Sequence, residues 1–152
     1  MLNNIFYQIF LSLSPVSENR GALIYGFVGG QNILYNYLIS TIPIMCLIPV
    51  LLWFWDKTSI APFVHAFFEK RTKKAVKRIE KLAEKYGYLA LLIFVSIPLP
   101  VTGVYTGSFV SRVLEMDKKK SGLCLLGGLL VSSIIVIVLK EIFNITIKTV
   151  LI

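Results

Sequence analysis

Two short stretches of this chain combine residues that can bind or move a charged group. The first is "SENRGALIYG", residues 17–26, where Glu18 and Arg20 stand just before Gly21. The second is "SIPLPVTGVYTG", residues 96–107, with Pro98, Pro100, Thr102, Gly103, Thr106 and Gly107. A carboxylate can load and release a proton, a guanidinium can hold an anion, and threonine hydroxyls add neutral donors. A glycine that starts a helix lets backbone N–H groups come close to a ligand. No nucleophile–base set accompanies these residues. His65 is the one histidine, and Cys46 and Cys124 lie in apolar runs without metal-ligand spacing. No enzyme activity, catalytic residue, cofactor or metal is therefore expected.

The elements around these stretches belong in a membrane. The 152 residues are 56% hydrophobic and 16% charged, with a mean hydropathy of +0.76, far from the usual balance of a soluble domain. Residues 33–55 and 121–139 contain no charged side chain, and each meets the roughly 20 residues that cross a ~30 Å hydrocarbon core. Tyr35 and Tyr37 at one end of the first run, and Trp53 and Trp55 at the other, are placed as an interfacial aromatic belt would be. The N-terminal "MLNNIFYQIF" has no basic residue before its apolar run, so it is expected to stay in the bundle rather than act as a cleaved signal.

Charge sets the orientation. Nine Lys/Arg lie between Lys57 and Lys85, and Arg112 with Lys118, Lys119 and Lys120 adds four of the 16 in the chain. Short basic loops stay cytoplasmic, so both segments are expected on that side. The net charge of +8 has no nucleic-acid-reading motif beside it; topology and anionic lipid account for it better. Val64, Phe67, Phe68, Ala75, Val76, Ile79 and Leu82 recur at helical spacing. Residues 57–87 are thus expected to form a basic amphipathic helix closed by Gly87, with Lys73, Lys74, Lys77 and Arg78 toward the lipid surface.

If residues 88–114 crossed the membrane once, the two basic segments would lie on opposite faces. A re-entrant hairpin avoids the conflict. Residues 88–97 would reach about 15 Å into the bilayer and residues 103–114 would return about 18 Å. Pro98 and Pro100 break the helix between them, and Thr102 is expected to cap the returning arm. The N-terminal part repeats the events: an apolar arm, a break at Pro15, then Gly21, a second arm and a full span. The expected fold is an all-α integral membrane protein, one membrane domain over residues 1–152. It would comprise two inverted repeats (1–56 and 88–152), each a re-entrant hairpin followed by a transmembrane helix, joined by the amphipathic segment 57–87. Both termini would lie outside.

With these motifs in view, the chain resembles the small multi-drug export family of bacterial and archaeal membrane proteins, itself distantly similar to DedA-like proteins of the VTT superfamily. The resemblance rests on Glu18, Arg20, Gly21 and Ala22, and on Pro98, Pro100, Thr102, Gly103, Tyr105, Thr106 and Gly107; Ile24, Val101 and Tyr105 depart from the family's pattern. It implies a multi-pass cell-membrane transporter. Two half-helix N-termini and Arg20 would suit an anionic head group, and Glu18 would load a coupling proton, so a small transporter or lipid flippase working by alternating access is the leading expectation. Proton-coupled efflux of cationic drugs through Glu18 is the alternative. A further one is a non-transporting scaffold whose basic helix binds lipid or a partner. Expected partners are membrane lipid and a small-molecule or lipid substrate, with no nucleic acid. Cys124, Gly128 and Ser132 form a small-residue stripe for close helix approach, either to a second copy in a homo-oligomer or to the hairpin of the same chain.

Overall fold

The computed structural model describes residues 2–57, 83, 85–99 and 102–150. Pro100 and the segment carrying Lys73, Lys74, Lys77 and Arg78, with most of the expected amphipathic helix, lie outside the described residues. Among the described residues six helices are formed: α1 (Leu2–Leu13), α2 (Glu18–Val28), α3 (Ile33–Lys57), α4 (Tyr88–Ser96), α5 (Val104–Val113) and α6 (Lys118–Val150). The order is short, short, long, and then short, short, long again. No strand occurs among the described residues.

Among the described residues, only α3 and α6 contain windows long and apolar enough to cross a bilayer, over Ile33–Trp55 and Lys118–Asn144. Just 33% and 28% of those windows are buried. The core helices of a soluble protein would be mostly covered; these turn most of their apolar surface outward, as helices facing lipid do. α3 runs unbroken through Pro43 and Pro49. The arms expected at 88–97 and 103–114 appear as α4 and α5, within a residue or so at each end. Nine and ten residues long, they are about 14 and 15 Å of helix and too short to cross. Gly87 takes φ 55° ahead of α4, and its N–H donates to Ala83 O at 2.8 Å; the helix it is expected to close lies almost wholly outside the described residues.

α1 is inside out. Phe6, Tyr7 and Phe10 are exposed while Gln8 and Ser12, one turn apart, are fully buried. Gln8 Nε2 donates to Asn36 Oδ1 (2.6 Å) and Ser40 Oγ (2.9 Å) on α3, and Ser12 Oγ donates to Ser40 O at 2.6 Å. Polar side chains act here as interhelical glue and apolar ones as the outer coat.

The apolar core lies where α3 and α6 meet the second short pair. Ile44, Ile48, Leu51 and Trp55 of α3 pack with Leu91 and Val95, with Phe109 and Val110, and with Leu125 and Leu129. Each second short helix also crosses to the other half: α2 packs on α6, and α5 packs on α3. The expected belt position of Trp55 is not what is found. It is 4% exposed, donates its indole N–H to Ser108 Oγ at 3.0 Å and meets Phe109 edge-on, whereas Trp53 is exposed. The small-residue stripe on α6 serves the same chain. A Cβ on Gly128 would fall 2.7 Å from Val95 Cβ and 2.9 Å from Leu92 O, so α4 rests directly on it.

Candidate functional site

The break between α1 and α2 is short. α2 begins at Glu18, three residues before Gly21, so Glu18, Asn19 and Arg20 form its first turn. Glu18 has φ 50°, a left-handed backbone that costs a non-glycine residue about 1–3 kcal/mol and is retained where the surroundings impose it. Gly21 permits the tight entry: a Cβ there would sit 2.4 Å from Ser17 Cβ.

All three side chains of that turn reach the second half of the chain. Glu18 is buried, and its Oε1 accepts the Tyr105 N–H at the start of α5, at 3.2 Å. The carboxylate lies over Gly103, where a Cβ would stand 1.6 Å from Oε2 and 2.1 Å from Oε1. Asn19 Nδ2 donates to Ser133 Oγ on α6 at 2.6 Å. Arg20 spreads its guanidinium over the end of α4 and the following turn. Nη2 donates to Val95 O (3.1 Å) and Thr102 O (3.3 Å), and Nη1 donates to Leu99 O (2.5 Å) and Thr102 Oγ1 (3.4 Å). Nε donates to Ser132 Oγ at 3.1 Å.

The electrostatics follow from the helix ends. The start of α5 presents unpaired N–H groups and the positive end of its dipole; the end of α4 presents unpaired carbonyls and the negative end. Glu18 meets the first and Arg20 the second, so one tripeptide caps both sides of the second break. α5 caps α1 in turn, because the Tyr105 hydroxyl donates to Leu13 O at the end of α1.

Thr102 does not cap α5. The residue preceding that helix is Gly103, without a side-chain cap bond, and Thr102 Oγ1 faces Ile97 O (2.6 Å) and Leu99 O (2.9 Å). The physical reason is space: an extended glycine leaves the slot that the Glu18 carboxylate fills.

A cavity of about 240 Å³ opens where the two breaks meet, lined by Pro15, Ser17, Glu18 and Arg20 from the first and by Pro98, Gly103 and Thr106 from the second, with Gly21 also on its wall. Of the residues expected to form a site, Glu18, Arg20, Gly21, Pro98, Gly103 and Thr106 are thus brought together, and Thr102 joins them through Arg20. Gly107 is elsewhere. A Cβ there would meet Leu125 Cδ2 at 2.7 Å and Val95 Cγ2 at 2.8 Å, which makes it a packing glycine between α4, α5 and α6. Asn19, Ser132, Ser133 and the Tyr105 hydroxyl complete the arrangement and were not singled out as site residues from sequence. The available signal was the run of three polar residues Glu18–Asn19–Arg20 and the pair Ser132–Ser133 in an otherwise uncharged span.

Residues 18–135 match the family model "Putative small multi-drug export protein". The chain belongs to this family. The match begins at Glu18, the first residue of α2, and covers the second break and about the first half of α6, and with two helices long and apolar enough to cross a membrane it makes the chain a membrane protein of an export family. No curated protein and no solved structure matches it at a significant level.

Proposed function

We propose that the chain is a proton-coupled membrane exporter whose binding site is the cavity between the two breaks and whose exchangeable group is Glu18. Supporting it are the repeated short–short–long order of helices and the exchange of caps between the halves, with Arg20 on the end of α4 and Tyr105 on the end of α1. These suit two inverted repeats, each a re-entrant hairpin and a crossing helix, which rock about the cavity between them. In this scheme the basic segment 57–87 and the Lys118–Lys120 end lie in the cytoplasm and both termini lie outside.

The observation that carries the reading is the Glu18 carboxylate seated on Tyr105 N–H against Gly103. Charged, it latches the first hairpin to the second. Protonated, it loses the charge-assisted bond and the latch loosens.

The polarity of the substrate follows from which charge has valence to spare. All five N–H groups of Arg20 face protein acceptors, whereas the Glu18 carboxylate, which accepts from the backbone N–H groups of Tyr105 and Val104, keeps lone pairs to spare. This favours a cationic drug-like substrate that pairs with Glu18 and exchanges for a proton. An anionic head group, as in a small transporter or lipid flippase, would have to displace the Glu18 carboxylate from the start of α5.

Transport in proteoliposomes across an imposed pH gradient tests the proposal: activity undiminished in both Glu18→Gln and Arg20→Ala overturns it. The two polarities give opposite signs. Protons compete with a cation for the carboxylate, so cation binding weakens as pH falls and is lost in Glu18→Gln. An anion that must displace the carboxylate binds more tightly as pH falls, and tightly at every pH in Glu18→Gln.

A further inference from the structure

A second, larger recess runs along the outside of the same region. It holds about 700 Å³ between α2 and α6, within the range of ~300–1,000 Å³ that accommodates a sizeable ligand. Its sides are apolar: Ile24, Phe27 and Val28 from α2, and Val136, Leu139 and Phe143 from α6. Arg20 and Pro98 form its inner end, and Lys140 and Asn144 its rim. Ile24, Val28, Leu139 and Phe143 are all strongly exposed, so nothing among the described residues covers the recess.

The dimensions match one leaflet. From Ser132, which holds Arg20, to Lys140 is eight residues of α6, about 12 Å of rise. Half of a ~30 Å hydrocarbon core is about 15 Å. The rim is charged in a particular way. Lys140 Nζ lies 5.2 Å from the centre of the Phe27 ring, at the mouth of the recess, and pairs with Glu141 Oε1 at 2.6 Å. Both side chains remain partly exposed. A cation and an anion side by side complement a head group that carries both signs.

We infer that the α2–α6 recess is a binding site for a zwitterionic phospholipid of the phosphatidylethanolamine type, in the leaflet remote from the Lys118–Lys120 end. Its phosphate takes Lys140, its ammonium takes Glu141, and one acyl chain lies along Val136, Leu139, Ile24 and Phe27, with its tip against Pro98. The site adjoins the 240 Å³ cavity through Arg20 and Pro98 but is not lined by Glu18, and it stands whether or not Glu18 carries a proton. A loss of transport in Glu18→Gln would leave it untouched.

Native mass spectrometry of the detergent-purified chain, loaded with equal amounts of phosphatidylethanolamine and phosphatidylglycerol, tests it. The wild type is expected to retain one phosphatidylethanolamine and to prefer it several-fold. Val136→Trp, which fills the recess, and Lys140→Gln are each expected to lower retention about tenfold, and Glu141→Gln is expected to abolish the preference between the two lipids. Because Lys140 lies at the rim and Glu141 is a partly exposed side chain paired to it, their variants decide the matter even where Val136→Trp fails to fold. Equal retention of the two lipids by the wild type, or wild-type retention in Lys140→Gln, overturns the proposal, as does displacement of the lipid by a soluble cationic drug in place of competition between lipids.

Discussion

Gly103→Ala is the sharpest perturbation of the junction. The backbone at 103, φ −94° and ψ −168°, is extended and open to alanine, so no conformational penalty arises from the residue itself. The added methyl, however, would lie 1.6–2.1 Å from the Glu18 carboxylate. Glu18 is expected to be driven off, and the start of α5 loses its charged acceptor. A hydrogen bond to a charged group is worth about 1.5–3 kcal/mol, so the variant is expected to lose about 2–3 kcal/mol, a factor of roughly 30–150 in the folding equilibrium. The assay is reversible unfolding in mixed micelles followed by tryptophan fluorescence, since Trp55 is buried against Phe109. The control is the same substitution in a Glu18→Ala background. There the methyl meets no carboxylate, and Gly103→Ala should cost less than about 1 kcal/mol, the scale of a lost cap preference. Any cost of alanine at φ 50° is common to both arms of that background and cancels in the double-mutant cycle. Equal cost in the two backgrounds would refute the reasoning, because it would mean that Glu18 and Gly103 are not coupled.

Arg20→Lys should be nearly as damaging as Arg20→Ala, about 3 kcal/mol in the same unfolding assay, because a point-like ammonium cannot span Val95 O, Leu99 O and Thr102 O together. Tyr105→Phe removes the donor to Leu13 O and should cost about 1–3 kcal/mol, read as faster hydrogen exchange at the end of α1. Gly26→Ala would place a methyl 2.2 Å from Asn36 Oδ1, costing about 1–3 kcal/mol of overpacking that Asn36→Ala relieves.

The helices were largely legible in the sequence and the caps were not. Runs of uncharged residues define α3 and α6, and Pro98 with Gly103 marks the interruption between α4 and α5, because chain length in a bilayer and the missing proline N–H are local matters. Capping is usually local too, which is why Thr102 was the expected partner of α5. Here the acceptor comes from Glu18, 87 residues away, and no spacing rule reaches that far. Gly107 looked like a site residue because it shares the motif of Gly103. The two are told apart by what faces the missing Cβ: Leu125 and Val95 for Gly107, a carboxylate for Gly103. Trp55 shows the same limit from the other side. A tryptophan near the end of an apolar run fits an interface equally well as a buried slot, and the choice was made by Ser108, a hydroxyl on a different helix.

The reciprocity of the caps restricts how such a bundle can move. Parting α1–α2 from α4–α5 would strip Arg20 from the carbonyls of Val95, Leu99 and Thr102, Glu18 from Tyr105 N–H, and Tyr105 from Leu13 O. Each polar group orphaned away from water costs about 1–3 kcal/mol, and more where a charge is involved, so full separation inside hydrocarbon is out of reach of ordinary substrate binding energies. Two cheaper routes remain for the transport cycle proposed above. Water can enter with the substrate and take over the exposed carbonyls, which requires that the cavity open to one face at a time. Alternatively, the hairpins can stay joined through Arg20 and move as one body against α3 and α6, with only the Glu18 contact exchanged. On the second route, under the proton-coupled scheme proposed above, the bond to break is the Glu18 contact, whose strength a single proton would control, and Arg20, bonded to three carbonyls, would be the hinge pin.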